Sequence, residues 1–265
     1  MLEKGRAVNV LHITDCHLNE DRSRDLLGMN TYDSLMAVLE EIRSEGITPD
    51  CILVTGDISQ DGSVAAYATI KDALSEYNCP IRWFSGNHDH RDNMSQVVGE
   101  GPELEKVLKL GDWQLILLDS LSPGNVHGEL ASSELEVLSA ALEADKSHSL
   151  VCLHHHPVDI GSAWLDRIGL HNPQAFLEIV DAHDQVEGVL WGHVHQEFDE
   201  QWKGKRMLAT PSTCIQFKQN SDDFALDEIA PGYRWLSLNS DGSIDTRVQR
   251  AHSFEYVLDL KSNGY

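Results

Sequence analysis

The chain has no CxxC pair, no Pro-, Gly- or Ser-rich linker, no low-complexity tract and no internal repeat. Its five cysteines (Cys16, Cys51, Cys79, Cys152 and Cys214) are odd in number and scattered. That argues against a disulfide framework and for reduced thiols in a cytoplasmic setting. No apolar run approaches the roughly 18 residues needed to span a bilayer, so a membrane protein is not expected. The opening MLEKGRAVNVLHITD lacks the basic flank, apolar stretch and small-residue cleavage site of a secretory signal. Positive charge is scarce as well: 20 Lys and Arg stand against 43 Asp and Glu, a formal net charge of −23. Such a surface repels polyanions at long range. Nucleic acid and anionic membrane are therefore poor partners, although the charge also serves plain solubility. A small phosphate compound held through a metal stays compatible with it.

Of the 265 residues 41% are hydrophobic, enough for an ample core. At about 150 residues per domain the chain is one large domain or two small ones. VNVLHIT, CILVT, IRWFS, WQLILLD, SLVCL and VEGVLW read as strands. TYDSLMAVLEEIRSEG has helical spacing through Tyr32, Leu35, Met36, Leu39 and Ile42, and Gly46 and Pro49 end it. SVAAYATIKDALSEY, SSELEVLSAALEAD and NPQAFLEIVDAH read as helices, the last with Asn172 as N-cap and Pro173 at its first position. This alternation is the βαβ signature of an α/β domain. Beyond Trp191 the pattern changes to short antiparallel-type strands without helices: RMLAT, STCIQF, YRWLSL and SIDTRVQ. Asp241-Gly242 signals a two-residue hairpin among them. One domain over residues 1–265 is expected, βαβ-patterned over 8–192 and strand-rich over 205–250.

Ligands of open α/β sheets gather beyond the carboxyl ends of the strands. There, after VLHIT, stand Asp15 and His17; after CILVTG, Asp57; after IRWFSG, Asn87, His88 and Asp89. After SLVCL come His154, His155 and His156, and after VEGVLWG come His193 and His195. One histidine at a strand end is ordinarily a satisfied surface residue. Five strand ends delivering carboxylate, imidazole or amide to one edge are a different matter. Gly56, Gly86 and Gly192 precede these groups, where the backbone can bend tightly. Asp, His and Asn without thiolate suit Mn²⁺, Fe²⁺ or Zn²⁺. Asp15, His17, Asp57, Asn87, His155, His193 and His195 are too many for one ion and fit two, with one carboxylate bridging. His12, pointing opposite to Ile13, reads as structural. His90, His127, His171 and His183 read as mostly solvated, and Cys16 as a small packed residue.

The motifs DCH, GDI, GNHD, HHP and GHVH, in that order, resemble the calcineurin-like metallophosphoesterase family. The resemblance implies a four-layer αββα sandwich with two metals between its sheets. It implies Asp15, His17 and His195 on one metal, Asn87, His155 and His193 on the other, and Asp57 bridging. In HHHP the His-x-Pro register selects His155, with His154 or His156 the ligand if the strand end is shifted. Asn87 would coordinate without adding negative charge. The pair, ~3.5–4 Å apart, would acidify a bridging water and clamp the phosphorus in line. His88 would face the phosphate and serve the leaving oxygen, with Asp89 orienting it or else simply capping the turn.

Elsewhere LLGMNTYDSLMAVL, GELASSELEVL, HHHPVDIGSAWLD, LATPSTCIQFK and APGYRWLSL are similar to the bacterial class III 3',5'-cyclic AMP phosphodiesterases. This likeness implies hydrolysis of cyclic AMP to 5'-AMP, with Fe²⁺, Mn²⁺ or alternatively Zn²⁺ as the metals. His17, Asn87, His88 and His195 would meet the substrate. Trp164, in the long connection PVDIGSAWLDRIGLHNP, would meet the base, unless that loop is only packed. Phe217, ending a core-facing strand, is given no base contact. Two other readings stand beside this one: a broader phosphodiesterase of glycerophosphodiesters or 2',3'-cyclic nucleotides, and a metal-bound interaction module without catalysis. A monomer or homodimer is expected.

Overall fold

The central strands are buried on both faces, and successive residues join different apolar seams with the strand period of two. The computed structural model describes residues 4–262 and 264, so both ends of the expected 1–265 domain fall outside the described residues. The chain begins with β1 (Val8–Ile13), β2 (Asp25–Leu26), β3 (Met29–Asn30), α1 (Thr31–Ser44), β4 (Cys51–Thr55), α2 (Val64–Ala73), β5 (Ile81–Phe84) and α3 (Arg91–Val98). It continues through β6 (Val107–Leu110), β7 (Trp113–Leu117), α4 (Ser132–Ala144), β8 (His148–Cys152), α5 (Ala163–Asp166), α6 (Pro173–Asp181) and β9 (Val186–Trp191). It ends with β10 (Phe198–Trp202), β11 (Lys205–Ala209), β12 (Gln216–Phe217), β13 (Leu226–Asp227), β14 (Gly232–Leu238) and β15 (Ile244–Arg250).

Two larger sheets result, ordered β15-β14-β1-β4-β5 and β10-β11-β9-β8-β7-β6. In β1, Val8 and Val10 share a seam with Leu150, Cys152, Leu190 and Leu208 of the other sheet. Leu11 and Ile13 point the opposite way, onto Leu35, Val38 and Leu39 of α1 and Ile70 of α2. Across the molecule Val151 and Val189 pack outward onto Leu138 and Leu142 of α4 and Phe176 and Val180 of α6. Three seams therefore separate four layers in the order αββα. Each fully buried aliphatic side chain contributes roughly 1.5–3 kcal/mol relative to exposure. Sliding one sheet over the other would uncover the central seam.

The helix expected near Tyr32 runs from Thr31, where the Asn30 side chain accepts from Asp33 N at 2.9 Å. Three local expectations change. α6 starts at Pro173, but Asn172 does not cap it; its side chain pairs with the Leu130 backbone, at 2.9 Å to N and 2.8 Å to O. The β14–β15 connection is not a two-residue hairpin. Residue pairing stops at Leu238 and Ile244, and the turn spans residues 239–243 with Gly242 at φ 90°. Nor are all the late strands antiparallel: β11 lies parallel to β9, reached through the β10 hairpin.

Candidate metal centre

β1, β4, β8 and β9 each end on a short turn, and the β5 turn closes the ring. Asp15 N donates to Gly56 O at 3.1 Å and His17 N to Asp57 O at 2.9 Å, which locks the first two turns together. Asp15, His17, Asp57, His193 and His195 all adopt positive φ, between 45° and 66°. Left-handed backbone at non-glycine residues is costly and collects where function demands it. Gly56 bends as expected, with φ 91°. Gly86 does not; it is there for space. A Cβ on it would lie 2.3 Å from Asp57 Oδ1 and 2.7 Å from His154 Nε2.

The side chains converge as two overlapping groups. In the first, His195 Nε2 lies 3.3 Å from Asp15 Oδ1, His17 Nε2 3.2 Å from His195 Nε2, and His17 Nε2 3.8 Å from Asp57 Oδ2. In the second, His154 Nε2 lies 3.3 Å from Asp57 Oδ2 and 4.0 Å from Asp15 Oδ1. The His154 and His193 rings meet edge-on with centroids 5.2 Å apart. Groups of potential ligand atoms within 4.8 Å of one another include Asp15–His17–His195, Asp15–Asp57–His154 and His154–His155–His193. In four rings one nitrogen is tied outward: His17 Nδ1 to Gln60 Oε1, His154 Nδ1 to Thr55 O, His193 Nε2 to Ile168 O and His195 Nδ1 to Ile215 O. Such partners fix the tautomer and aim the other lone pair inward.

His155 enters the same region with both nitrogens engaged. Nδ1 lies 2.8 Å from Ser120 Oγ, and Nε2 lies 3.1 Å from the Val126 carbonyl. His154, not His155, faces the two carboxylates. The register could have been read from alternation: Leu150 and Cys152 face the inter-sheet seam, so residue 154 continues that face. Asn87 Oδ1 and His154 Nε2 are buried without a hydrogen-bond partner among the described residues. A buried amide oxygen left in this way is costly unless something binds it, and a divalent cation held here would satisfy it. The donor set of carboxylate, imidazole and amide oxygen fits a pair of divalent ions.

Electrostatics agree with the geometry. Burial pushes the Asp15 carboxyl up, but the His195 and His154 imidazoles outweigh it and hold the group below its usual range. Burial acts likewise on Asp57, which His154 and His88 hold well below that range. Burial would lower the His154 imidazole, yet the facing Asp57 and Asp15 raise it to about 9. Two buried carboxylates require a compensating cation, and in the metal-free chain His154 carries it. Burial lowers His17 to about 3.

His88 is half-buried; its backbone N–H donates to Asp57 Oδ1 at 2.8 Å and its ring stands edge-on to His17. Asp89 fills the turn-capping role that was its alternative reading, and more. Its oxygens accept from Ser59 N, Tyr67 Oη, Gly86 N and Ile58 N, at 3.0, 3.0, 2.9 and 3.3 Å, tying the β4 and β5 turns together. Burial, with Asp57 nearby, pushes its carboxyl up to about 7.

Beside the centre opens a cavity of about 400 Å³, within the range of small-molecule sites. Asn87, His88 and His193 form one wall; Trp164, Ile168, Phe217 and Phe224 line another. Trp164 meets Phe217 and Phe224 edge-on at centroid distances of 5.0 and 5.3 Å, and Phe217 stacks on His195 at 4.3 Å. Trp164 thus lines the cavity and also packs against the core. Phe217, denied a ligand contact on sequence grounds, lines the cavity too. Phe224 was missed; a lone aromatic in the polar run KQNSDDFALD was its only signal. His127 and His171 stack on each other at 3.5 Å.

Residues 8–197 match the family described as calcineurin-like phosphoesterase. Over 260 residues the chain is 43% identical to the 3',5'-cyclic adenosine monophosphate phosphodiesterase CpdA of Pseudomonas aeruginosa, covering 98% of this chain and 96% of that protein. It is 42% identical over 261 residues to the enzyme of the same name from Escherichia coli (strain K12), covering 97% and 95%. Among solved structures it is similar to a dimetal phosphatase from Danio rerio, with a TM-score of 0.63 at 17% identity, covering 93% of this chain and 99% of that one.

Proposed function

Because the chain belongs to the calcineurin-like phosphoesterase family, we propose that it hydrolyses 3',5'-cyclic AMP to 5'-AMP at a two-metal centre and so lowers a second messenger. The observations that carry the chemistry are Asn87 Oδ1, buried without a hydrogen-bond partner among the described residues, and His154 Nε2, which faces Asp57 and Asp15, both beside a cavity of small-molecule size. The substrate rests on likeness to relatives named for this activity along nearly the whole chain.

Asp15, His17, His195 and Asp57 would hold one ion, and Asp57, Asn87, His154 and His193 the other. His154 takes the place expected of His155, whose nitrogens serve Ser120 and Val126. Mn²⁺ or Fe²⁺ suits this nitrogen and oxygen set, with Zn²⁺ as the alternative. When bound, two divalent cations lower the pKa of water and neutralise phosphate charge. The protein supplies the rest. The amide of Asn87 would coordinate without adding to the charge of Asp15 and Asp57. His88, on the cavity wall, serves the departing 3'-oxygen as proton donor. Trp164, Phe217 and Phe224 receive the base and exclude water, fixing which ester oxygen lies opposite the attack. Asp89 holds the ligand turns in register through its backbone donors.

The chain reads as one folding unit, since β14 hydrogen-bonds to β1 across almost the full sequence. Five free cysteines fit a reducing, cytoplasmic compartment, and a monomer or homodimer is the expected assembly. Among the described residues no helix is long and apolar enough to cross a membrane. The activity is tested by chromatography of the products formed from cyclic AMP. We expect 5'-AMP alone. Comparable 3'-AMP would overturn the fixed orientation, and no turnover with Mn²⁺ or Fe²⁺ supplied would overturn the activity.

A further inference from the structure

On the inner face of the sheets, behind the carboxylates, the apolar seam gives way to polar side chains. Val10 is followed on that face by His12 and Thr14 in β1 and its turn, Leu53 by Thr55 in β4, and Leu208 by Thr210 after β11. All four polar residues are fully buried. His12 Nδ1 lies 2.5 Å from Thr210 Oγ1 and His12 Nε2 2.7 Å from Thr55 Oγ1. Thr55 Oγ1 donates to Thr14 Oγ1 at 2.8 Å, and Thr14 Oγ1 donates to Asp15 Oδ2 at 2.7 Å. The Thr55 carbonyl lies 3.2 Å from Thr14 Oγ1, the longer of that hydroxyl's two acceptors, and takes the His154 Nδ1 proton at 2.8 Å.

The proton order in this chain is determined from one end. An ionised Asp15 only accepts, so the Thr14 hydroxyl must donate to it. Thr14 then accepts from Thr55, which has spent its one proton and must accept from His12 Nε2–H. That tautomer leaves His12 Nδ1 as an acceptor for the Thr210 hydroxyl. Every donor points toward Asp15. Burial, reinforced by the buried Arg234 guanidinium, lowers the His12 imidazole to about 3 and keeps it in the neutral form this order needs.

We infer that His12, through Thr55 and Thr14, is a positioning residue for the metal centre: the chain holds the Asp15 carboxylate in its ligating rotamer and draws charge from Oδ2, leaving Oδ1 for the ion. Hydrogen bonds running one way polarise one another, and outer partners of metal ligands typically alter affinity about 10–100-fold. This inference rests on the metal reading above and concerns residues that touch neither ion nor substrate.

The test is binding of Mn²⁺ alone to chelator-stripped protein, followed by calorimetry, with circular dichroism and thermal unfolding to match the folds. Thr14→Val keeps the shape and removes the last link; it should weaken one of two Mn²⁺ sites about 10–100-fold. Thr55→Val and His12→Phe should do the same, and Thr14→Val combined with His12→Phe should be no worse than the weaker single variant. Thr14→Ser restores the hydroxyl and His12→Gln the donor toward Thr55, so both should bind nearly as wild type. Should His12→Phe fail to fold, the Thr14 and Thr55 series decides. Wild-type affinity in folded Thr14→Val, or losses that simply add in the double variant, would overturn the inference. A wild-type protein that takes up no Mn²⁺ would refute the metal reading itself.

Discussion

Stripped of metal, the protein should lose stability as the solution turns alkaline, and one ring should account for it. His154 carries the charge that balances Asp57 and Asp15, and its imidazole is raised from 6.5 to about 9. A group whose folded pKa lies above its unfolded value stabilises fully below the unfolded pKa, here 6.5, and that contribution is lost as pH rises through the folded one. At 1.36 kcal/mol per unit the whole effect is about 3 kcal/mol, of which about 2 kcal/mol falls between roughly pH 7.5 and 9.5. The depression of Asp57 is the same interaction seen from its partner and is not counted again. Other titrations sit elsewhere. The histidines that burial depresses, His12, His17 and His156 at about 3, act below the window. Asp89 at about 7 has finished near its start. Buried thiols such as Cys152 are pushed up and enter at its alkaline end, but they are present in any His154 variant and cancel in the difference. The assay is urea unfolding of chelated wild type and His154→Gln across this range. Wild type should lose about 2 kcal/mol more than His154→Gln, and saturating Mn²⁺ should flatten its profile because the ion displaces the proton. Equal losses in the two proteins would refute the assignment of this charge to His154.

Three further outcomes follow from the same geometry. His88→Ala should keep its metal yet turn cyclic AMP over ~10²–10⁴-fold more slowly, with a smaller loss on bis(p-nitrophenyl) phosphate, whose leaving group needs no proton; equal losses would remove the proton-donor role. Metal analysis should find one ion fewer in His154→Ala and both ions in His155→Ala, and the reverse pattern would restore His155 as the ligand. Trp164→Ala and Phe224→Ala should weaken use of cyclic AMP by roughly 5–150-fold, the worth of one base-stacking contact. Ribose 3',5'-cyclic phosphate, which lacks the base, should be little affected, and steady-state kinetics on the two substrates separates base recognition from loop packing.

Most of the layered fold and the five strand ends that carry the candidate ligands were legible because their signals are local. An apolar run ending in Gly-Asp, Gly-Asn-His-Asp or Gly-His-x-His names both the strand and the group beyond it. What was not legible depends on partners distant in sequence. In HHHP three neighbouring imidazoles look alike; alternation from Leu150 and Cys152 favours His154, and the Ser120 and Val126 contacts, which no local pattern shows, occupy His155. Asp89 could have faced His88 or its own turn; the Ser59, Ile58 and Tyr67 donors arrive from another strand and a helix. Asn172 looked like a cap and instead pairs with Leu130, 42 residues away. Phe217 sits in a core strand by pattern, and the cavity it lines is formed partly by the α5 loop, which no alternation rule positions. The positive φ of five aspartates and histidines could not be placed from the sequence: these types are enriched in left-handed backbone, yet most of them still avoid it.

The most direct test of the central claim is a stepwise Mn²⁺ titration of chelator-stripped protein, with 5'-AMP formation from 3',5'-cyclic AMP recorded at each addition. A centre built on both Asp15 and Asp57 predicts negligible turnover until the second site fills, then full activity with 5'-AMP as sole product and no gain from further metal. Full activity with one ion bound per chain, or none with two, would contradict it.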